Sequence, residues 1–95
     1  MKFDWDPNKN KYNQQVHGIT FEEASTVFFD KNMIRWDDNN HTNVDATEDR
    51  FYALGRSTYN NLLIVCFCER NKDTIRIITA WKANKRLKEA YNASH

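Results

Sequence analysis

The sequence predicts an α+β fold in which an antiparallel sheet packs against helices, and three observations predict it. A near-continuous apolar run at residues 62–68 sits between two alternating segments and is joined to each by a short polar turn, so three consecutive strands pair antiparallel. Two capped helix starts lie in the first third of the chain, at Asp6-Pro7 and Thr20-Phe21-Glu22-Glu23. The 95 residues are 40% hydrophobic and 14% aromatic, with 2 Gly and 1 Pro, which excludes disordered and collagen-like chains and bounds the whole, residues 1–95, to a single domain.

Phe3, Asp4 and Trp5 alternate apolar and acidic, as a short first strand does. Asp6 can accept the orphan amide hydrogens of a helix that opens on Pro7, and Gly18 supplies a left-handed stop after His17. Tyr12 and Val16, four apart, form a thin apolar stripe. A second helix follows Thr20, with Phe21, Ala24, Val27 and Phe28 on one face, and fades near Asp30. The apolar faces of this helical hairpin need a sheet beneath them. Residues 36–49 read as a polar, acidic connection. In the strand at 50–56, Phe51 and Ala53 share one face, Tyr52 and Leu54 the other. The apolar run at 62–68 is the central strand, and 71–73 is a turn. A regular strand at 74–81 puts Ile75, Ile77, Thr79 and Trp81 on one side and Arg76, Ile78, Ala80 and Lys82 on the other. Asn84 caps a last helix with Leu87 and Tyr91 inward and Lys85, Arg86 and Lys88 outward. The predicted order is β-α-α-β-β-β-α, with the helices on one side of the sheet.

The 14 basic and 13 acidic side chains leave a net charge of +1, unevenly spread. Residues 1–50 hold 6 basic and 10 acidic groups, and residues 51–95 hold 8 and 3. Arg76, Lys82, Lys85, Arg86 and Lys88 follow one another without an acid between them. Such a segment is either a solvated helix face or a surface for a polyanion or an acidic partner. No stretch of 18 apolar residues offers a membrane span, and the N-terminal residues lack the apolar core of a secretory signal, so a cytoplasmic protein is expected. Cys66 and Cys68 stand too close for a disulfide framework, and no further Cys or His pair completes a zinc site, which favours core packing. Asp37-Asp38-Asn39-Asn40 lacks the Gly and distal Glu of an EF-hand loop. Neither a metal nor a cofactor is expected.

Phe3-Asp4-Trp5-Asp6-Pro7-Asn8-Lys9, His17-Gly18-Ile19-Thr20-Phe21-Glu22-Glu23-Ala24 and Val27-Phe28 resemble the first half of BrnT-type toxins. Glu48-Asp49-Arg50-Phe51, Gly55-Arg56-Ser57 and Ile75-Arg76-Ile77-Ile78-Thr79-Ala80 resemble the second half, so the resemblance covers residues 3–91. No single piece is diagnostic; their order is specific. The resemblance implies a RelE-like fold and the toxin half of a bacterial type II toxin–antitoxin pair. It implies an endoribonuclease that cleaves RNA without a metal and so inhibits translation. The implied partner is a ribbon-helix-helix antitoxin, through which alone the toxin meets operator DNA.

Cleavage of that kind needs a proton acceptor for the 2′-hydroxyl, cations on the phosphate and a proton for the leaving oxygen. The resemblance points to Arg76, Arg56 and His17 as the catalytic set; the basic run adds Lys82, Lys85 and Arg86 as a diffuse phosphate track that an antitoxin tail can use equally well, and Trp81 offers a ring on which a base can stack, so these four are the expected RNA-binding residues. Each has a plainer reading as well. His17 suits a helix C-terminus, Arg76 an ion pair with Glu69 or Glu48, and Trp81 the core or a protein interface. His41 and His95 carry no specific signal. The sequence also departs from the family pattern. Val16 stands where Lys is usual, Trp81 where Arg is usual, Leu87 where an acid is common, and Phe67 where several relatives carry His. These departures keep open the alternative of a weakened or inactive binding module that acts with a repressor partner.

Overall fold

The structure, a computed structural model, describes residues 1–37 and 49–94. His41, His95, Glu48 and most of the acidic connection lie outside the described residues. The elements run β1 (Lys2–Asp4), α1 (Pro7–His17), α2 (Phe21–Ser25) with a 3₁₀ turn (Thr26–Phe29), β2 (Ile34–Asp37), β3 (Arg50–Arg56), β4 (Leu62–Arg70), β5 (Thr74–Lys82) and α3 (Lys85–Ala93). All three predicted caps are made: Asp6 accepts from the amide of Asn8, Thr20 from that of Glu23 and Asn84 from that of Leu87. Gly18 ends α1 at φ 71°, where a side chain is strained.

The sheet order is β1-β5-β4-β3-β2. The pairs β5–β4, β4–β3 and β3–β2 are antiparallel, whereas β1 joins β5 in parallel, so the sheet is mixed. Strand β2 corrects the expectation that the polar connection begins at residue 36. Ile34 and Trp36 pair with Leu54 and Tyr52, and that cross-strand burial extends the sheet by one strand.

The first face of the sheet carries the main core. Phe21, Ala24 and Val27 pack on Ala53, Leu63, Val65, Phe67, Ile75, Ile77 and Ala80. Arg35 closes its far edge, with its guanidinium 4.3 Å from the Phe51 ring centroid and 2.9 Å from a Glu69 carboxylate oxygen. The second face holds a smaller core of Leu54, Leu62, Ile64, Ala83 and Tyr91, with Leu87 packed against it. Helix α3 thus lies on the face opposite α2, and the helices are not all on one side as expected.

Two local features place the side chains that matter. Cys66 pairs with Thr79 but Phe67 pairs with Ile77, so Ile78 is an extra residue in β5. This bulge reverses the alternation beyond it. Ala80 and Lys82 take the register of the first face, while Arg76, Thr79 and Trp81 take that of the second. The expected sharing of a side by Arg76 and Lys82 is therefore corrected.

The second feature is Asn13. Among the described residues, the upper part of β5 has no strand on its outer edge, because β1 reaches only as far as Arg76. Asn13, 3% exposed, fills that place. Its amide donates to the carbonyls of Ala80 (2.7 Å) and Ile19 (2.8 Å), and its oxygen accepts from the Ala80 amide and the Thr79 hydroxyl (both 3.1 Å). One side chain acts as a strand partner and pins α1 against the sheet edge. The apolar stripe expected to bind α1 to the sheet does the opposite, with Tyr12 65% and Val16 53% exposed.

Candidate functional site

The second face of the sheet carries three cross-strand rows, the third of which passes into the small core that α3 covers. The first is Asp4, Arg76, Cys68 and Arg50 in register; the second is Thr79, Cys66, Tyr52 and Trp36; the third is Trp81, Ile64, Leu54 and Ile34. The side chains of Cys66 and Cys68 are buried within these rows, as thiols and not as a disulfide. Among the described residues, no group of three or more His, Cys, Asp or Glu side chains is placed to hold a metal ion.

Aromatic rings run obliquely across the rows. His17 lies 6.2 Å from Trp81, Trp81 6.4 Å from Tyr52, and Tyr52 5.7 Å from Trp36, centroid to centroid. The series reaches from the α1 edge of the sheet to the opposite edge at β2. His17 belongs to it because Asn13, one turn earlier, ties α1 to the backbone of Ala80 beside Trp81. A row of half-exposed rings can stack successive bases of a single strand.

The cations divide into two groups. Arg76 lies at the β1 end, where its guanidinium meets the Asp4 carboxylate at 2.6 Å, the side chains being 28% and 48% exposed. That partner is Asp4 and not Glu69, which binds Arg35; Glu48, the other expected partner, lies outside the described residues. Arg50 stands on the other side of Cys68. Arg56 lies at the far end of the same face. The positions opposite Arg56 and Arg76, Leu62 and Cys68, lie six steps apart along β4, about 20 Å of strand. The two arginines share a face and do not converge on one phosphate.

Arg56 is built into the α3 end. Its amide donates to Asp30 (2.8 Å), its guanidinium donates to the Asn60 carbonyl (3.2 Å), and the guanidinium sits 5.7 Å from the centroid of Tyr91. Tyr91 in turn donates to Asp30. Burial and the Asp30 carboxylate push the Tyr91 phenol above its usual range, with Arg56 opposing them. Buried Glu23 braces the adjoining turn by accepting from Ser57 (2.7 Å) and Asn61 (2.8 Å). A surface depression of about 290 Å³ beside this turn is lined by Arg56, Asn60, Lys82 and Lys88, among others. Lys85 and Arg86 are exposed at the start of α3.

The structure thus groups His17, Trp81 and Arg76 on the open part of the second face, and Arg56, Lys82, Lys85 and Arg86 toward the α3 end. Sequence reasoning passed over Arg50, Tyr52 and Trp36 as site residues. The Glu-Asp-Arg-Phe stretch contained a signal for Arg50, and the alternation of β3 one for Tyr52; Trp36 had none while its strand was read as loop.

The family model described as the ribonuclease toxin, BrnT, of type II toxin–antitoxin systems matches residues 5–86. A solved structure, the 1.1 Å crystal structure of the Brucella abortus ribonuclease toxin BrnT, superposes with a TM-score of 0.65 at 21% identity, over 90% of this chain and 99% of that one. That likeness shows the shared fold. No curated protein sequence matches the chain.

Proposed function

The chain belongs to the BrnT family of ribonuclease toxins of type II toxin–antitoxin systems, and from that premise we propose that it is a metal-independent endoribonuclease whose single-stranded RNA substrate lies across the second face of the sheet. The observation that carries this reading is the ring series His17–Trp81–Tyr52–Trp36 beside the row that holds Arg76 and Arg50. Bases stack on the rings while the guanidiniums take the backbone. The 2′-oxygen attacks the adjacent phosphorus as its proton leaves. A cyclic phosphate forms, the bond to the 5′-oxygen breaks, and that oxygen takes up a proton. Arg76 and Arg50 stabilise the added charge on phosphorus, while His17, beyond Trp81 and about 13 Å of strand from the Arg76 row, meets a neighbouring nucleotide and takes part in the proton transfers only if the strand is drawn toward it. Arg76 exchanges its half-exposed pair with Asp4 for the phosphate, a trade that costs little at a solvated site.

Arg56, Lys82, Lys85 and Arg86 form a separate track, which holds the distal strand or the acidic part of a ribbon-helix-helix antitoxin. Through that antitoxin the toxin reaches operator DNA, and freed from it the toxin inhibits translation in the cytoplasm.

Purified protein is expected to cut single-stranded RNA with EDTA present. Arg76→Ala should slow cutting about a hundredfold, the scale of losing one transition-state donor. Undiminished cutting by that variant removes Arg76 from the site. A second reading, a weakened toxin that survives as a repressor's partner, is favoured by one observation: Arg56 stands about 20 Å from Arg76, so the two do not act together. Induced expression in bacteria separates the readings. Growth arrest with loss of protein synthesis supports the toxin, and normal growth supports the binding module.

A further inference from the structure

Arg76 and Arg50 have a third arginine for a neighbour. Strand β4 runs two residues past Cys68 to Arg70, which is exposed and, by the alternation of the strand, lies on the same face as Cys68. Cys68 stands opposite Arg76 on one side and opposite Arg50 on the other. Arg70 is therefore the diagonal neighbour of both, its backbone about 7–8 Å from each. Arg76 and Arg50 are two strands apart, about 10 Å. The three side chains rise at the corners of a triangle whose floor is Cys68, a short side chain only 4% exposed. Lys2 and Thr74 complete the row of Arg70. Among the described residues of these two rows Asp4 is the single acid, and Arg76 holds it. Helix α3 packs on Leu54, Leu62 and Ile64, at the opposite end of the face.

We propose that Arg70 joins Arg76 and Arg50 in a three-guanidinium cradle for the phosphate at which the RNA is cut. The inference rests on the reading of the second face as the RNA surface. Three guanidinium forks around one point suit a phosphate better than an acidic protein segment. A carboxylate has two oxygens, and one fork satisfies both, so two of the three arginines would be left unmatched. A phosphodiester offers non-bridging oxygens on different sides of phosphorus and gains charge on them when the 2′-oxygen attacks. Cations held this close also repel one another, and an anion between them relieves the repulsion. The row that holds Tyr52 and Trp36 lies on the other side of Arg76 and Arg50 from Arg70. Arg70 thus meets the strand from the side of its backbone, away from the stacked bases, and closes the cradle without reading sequence.

The test uses the full chain with EDTA present and reads the cutting of single-stranded RNA beside the binding of its non-cleavable 2′-O-methyl form. Arg70→Ala removes an exposed side chain at a strand end, and an unchanged urea midpoint verifies its fold. Cutting should slow about a hundredfold while affinity falls by about tenfold or less. Arg70→Lys keeps the charge without the fork, so it should restore most of the affinity and only part of the rate. Cutting at the unsubstituted rate by Arg70→Ala overturns the proposal and leaves Arg70 to a protein partner. A loss of rate no greater than the loss of affinity overturns it as well, because Arg70 then holds a phosphate away from the cut. Arg76→Ala, measured alongside, separates the cradle from the reading beneath it. If Arg76→Ala is slow and Arg70→Ala is not, only the cradle falls. If both cut normally, or if the unsubstituted protein cuts no RNA, the reading of the second face falls with it.

Discussion

Asn13 illustrates how one residue sets the geometry of the site. All of its amide's hydrogen-bonding capacity toward β5 is used inside the protein, and truncation strands the N–H and C=O of Ala80 away from water. Asn13→Ala should therefore cost about 2–4 kcal/mol in urea unfolding, as two buried backbone groups lose their partners. Gly55 is a second such position. A Cβ there would stand 2.7 Å from a Val27 methyl and 3.3 Å from the Val27 carbonyl, and Val27 is fully buried. The Gly-Arg-Ser stretch thus owes its glycine to the packing of the 3₁₀ turn on β3. Gly55→Ala should destabilise by about 1–3 kcal/mol, read from the same unfolding curves. At the site itself, Asp4 competes with RNA for Arg76. Asp4→Asn should raise RNA affinity at low salt by up to about fivefold, the worth of an exposed pair; a loss of affinity would show that Asp4 instead holds Arg76 in its working position.

At the scale of the element, what the sequence revealed and what it hid have physical causes. The capped helices, the all-apolar β4 and the amphipathic α3 were legible because each follows from local spacing: Asp6 and Thr20 cap as expected, and Leu87 and Tyr91 turn inward. Strand β2 was not, because half of its four residues are charged and its stability comes from pairing with β3, far along the chain. The sides of β5 were not legible either. A bulge at Ile78 leaves no mark in the alternation it breaks, yet it moves Trp81 to the face of Arg76 and sends Lys82 to the other. So the resemblance singled out Arg76 and His17, and aromatic character singled out Trp81, one by one, while their common face depended on a register that only the folded sheet sets. Helix α3 carries a prediction of its own. Its Tyr91 phenol is favoured in the neutral form by burial and by Asp30. A group whose folded value is raised stabilises fully below its unfolded value, about 10, and that contribution is lost as pH rises through the folded value. Unfolding free energy should thus fall above about pH 10, and Tyr91→Phe should remove that component of the fall.

Across the whole molecule, a net charge of +1 looks ill suited to a protein that holds RNA. The distribution resolves the difficulty. Many acids of the first half serve internal contacts: Asp6 caps α1, Glu22 holds Asn10, Glu23 braces the 57–61 turn, and Asp30 anchors Tyr91 and the amide of Arg56. The cations of the second half lie toward the surface, on the second face, on α3, at Lys82 on the first face and at Lys72 in the turn before β5. Overall charge then contributes little steering from a distance, and affinity depends on the few phosphates in direct contact. If Arg50, Arg76, Lys85 and Arg86 each neutralise one phosphate of a single strand, the logarithm of the binding constant should fall with the logarithm of salt concentration at a slope of about −3. Arg76→Ala should reduce that slope by about 0.7, whereas Trp81→Ala should lower affinity by about tenfold and leave the slope as it was. A slope near zero in the unsubstituted protein would mean that these cations do not meet the backbone, and the second face would then be a stacking or protein-binding surface without the charge that phosphoryl chemistry requires.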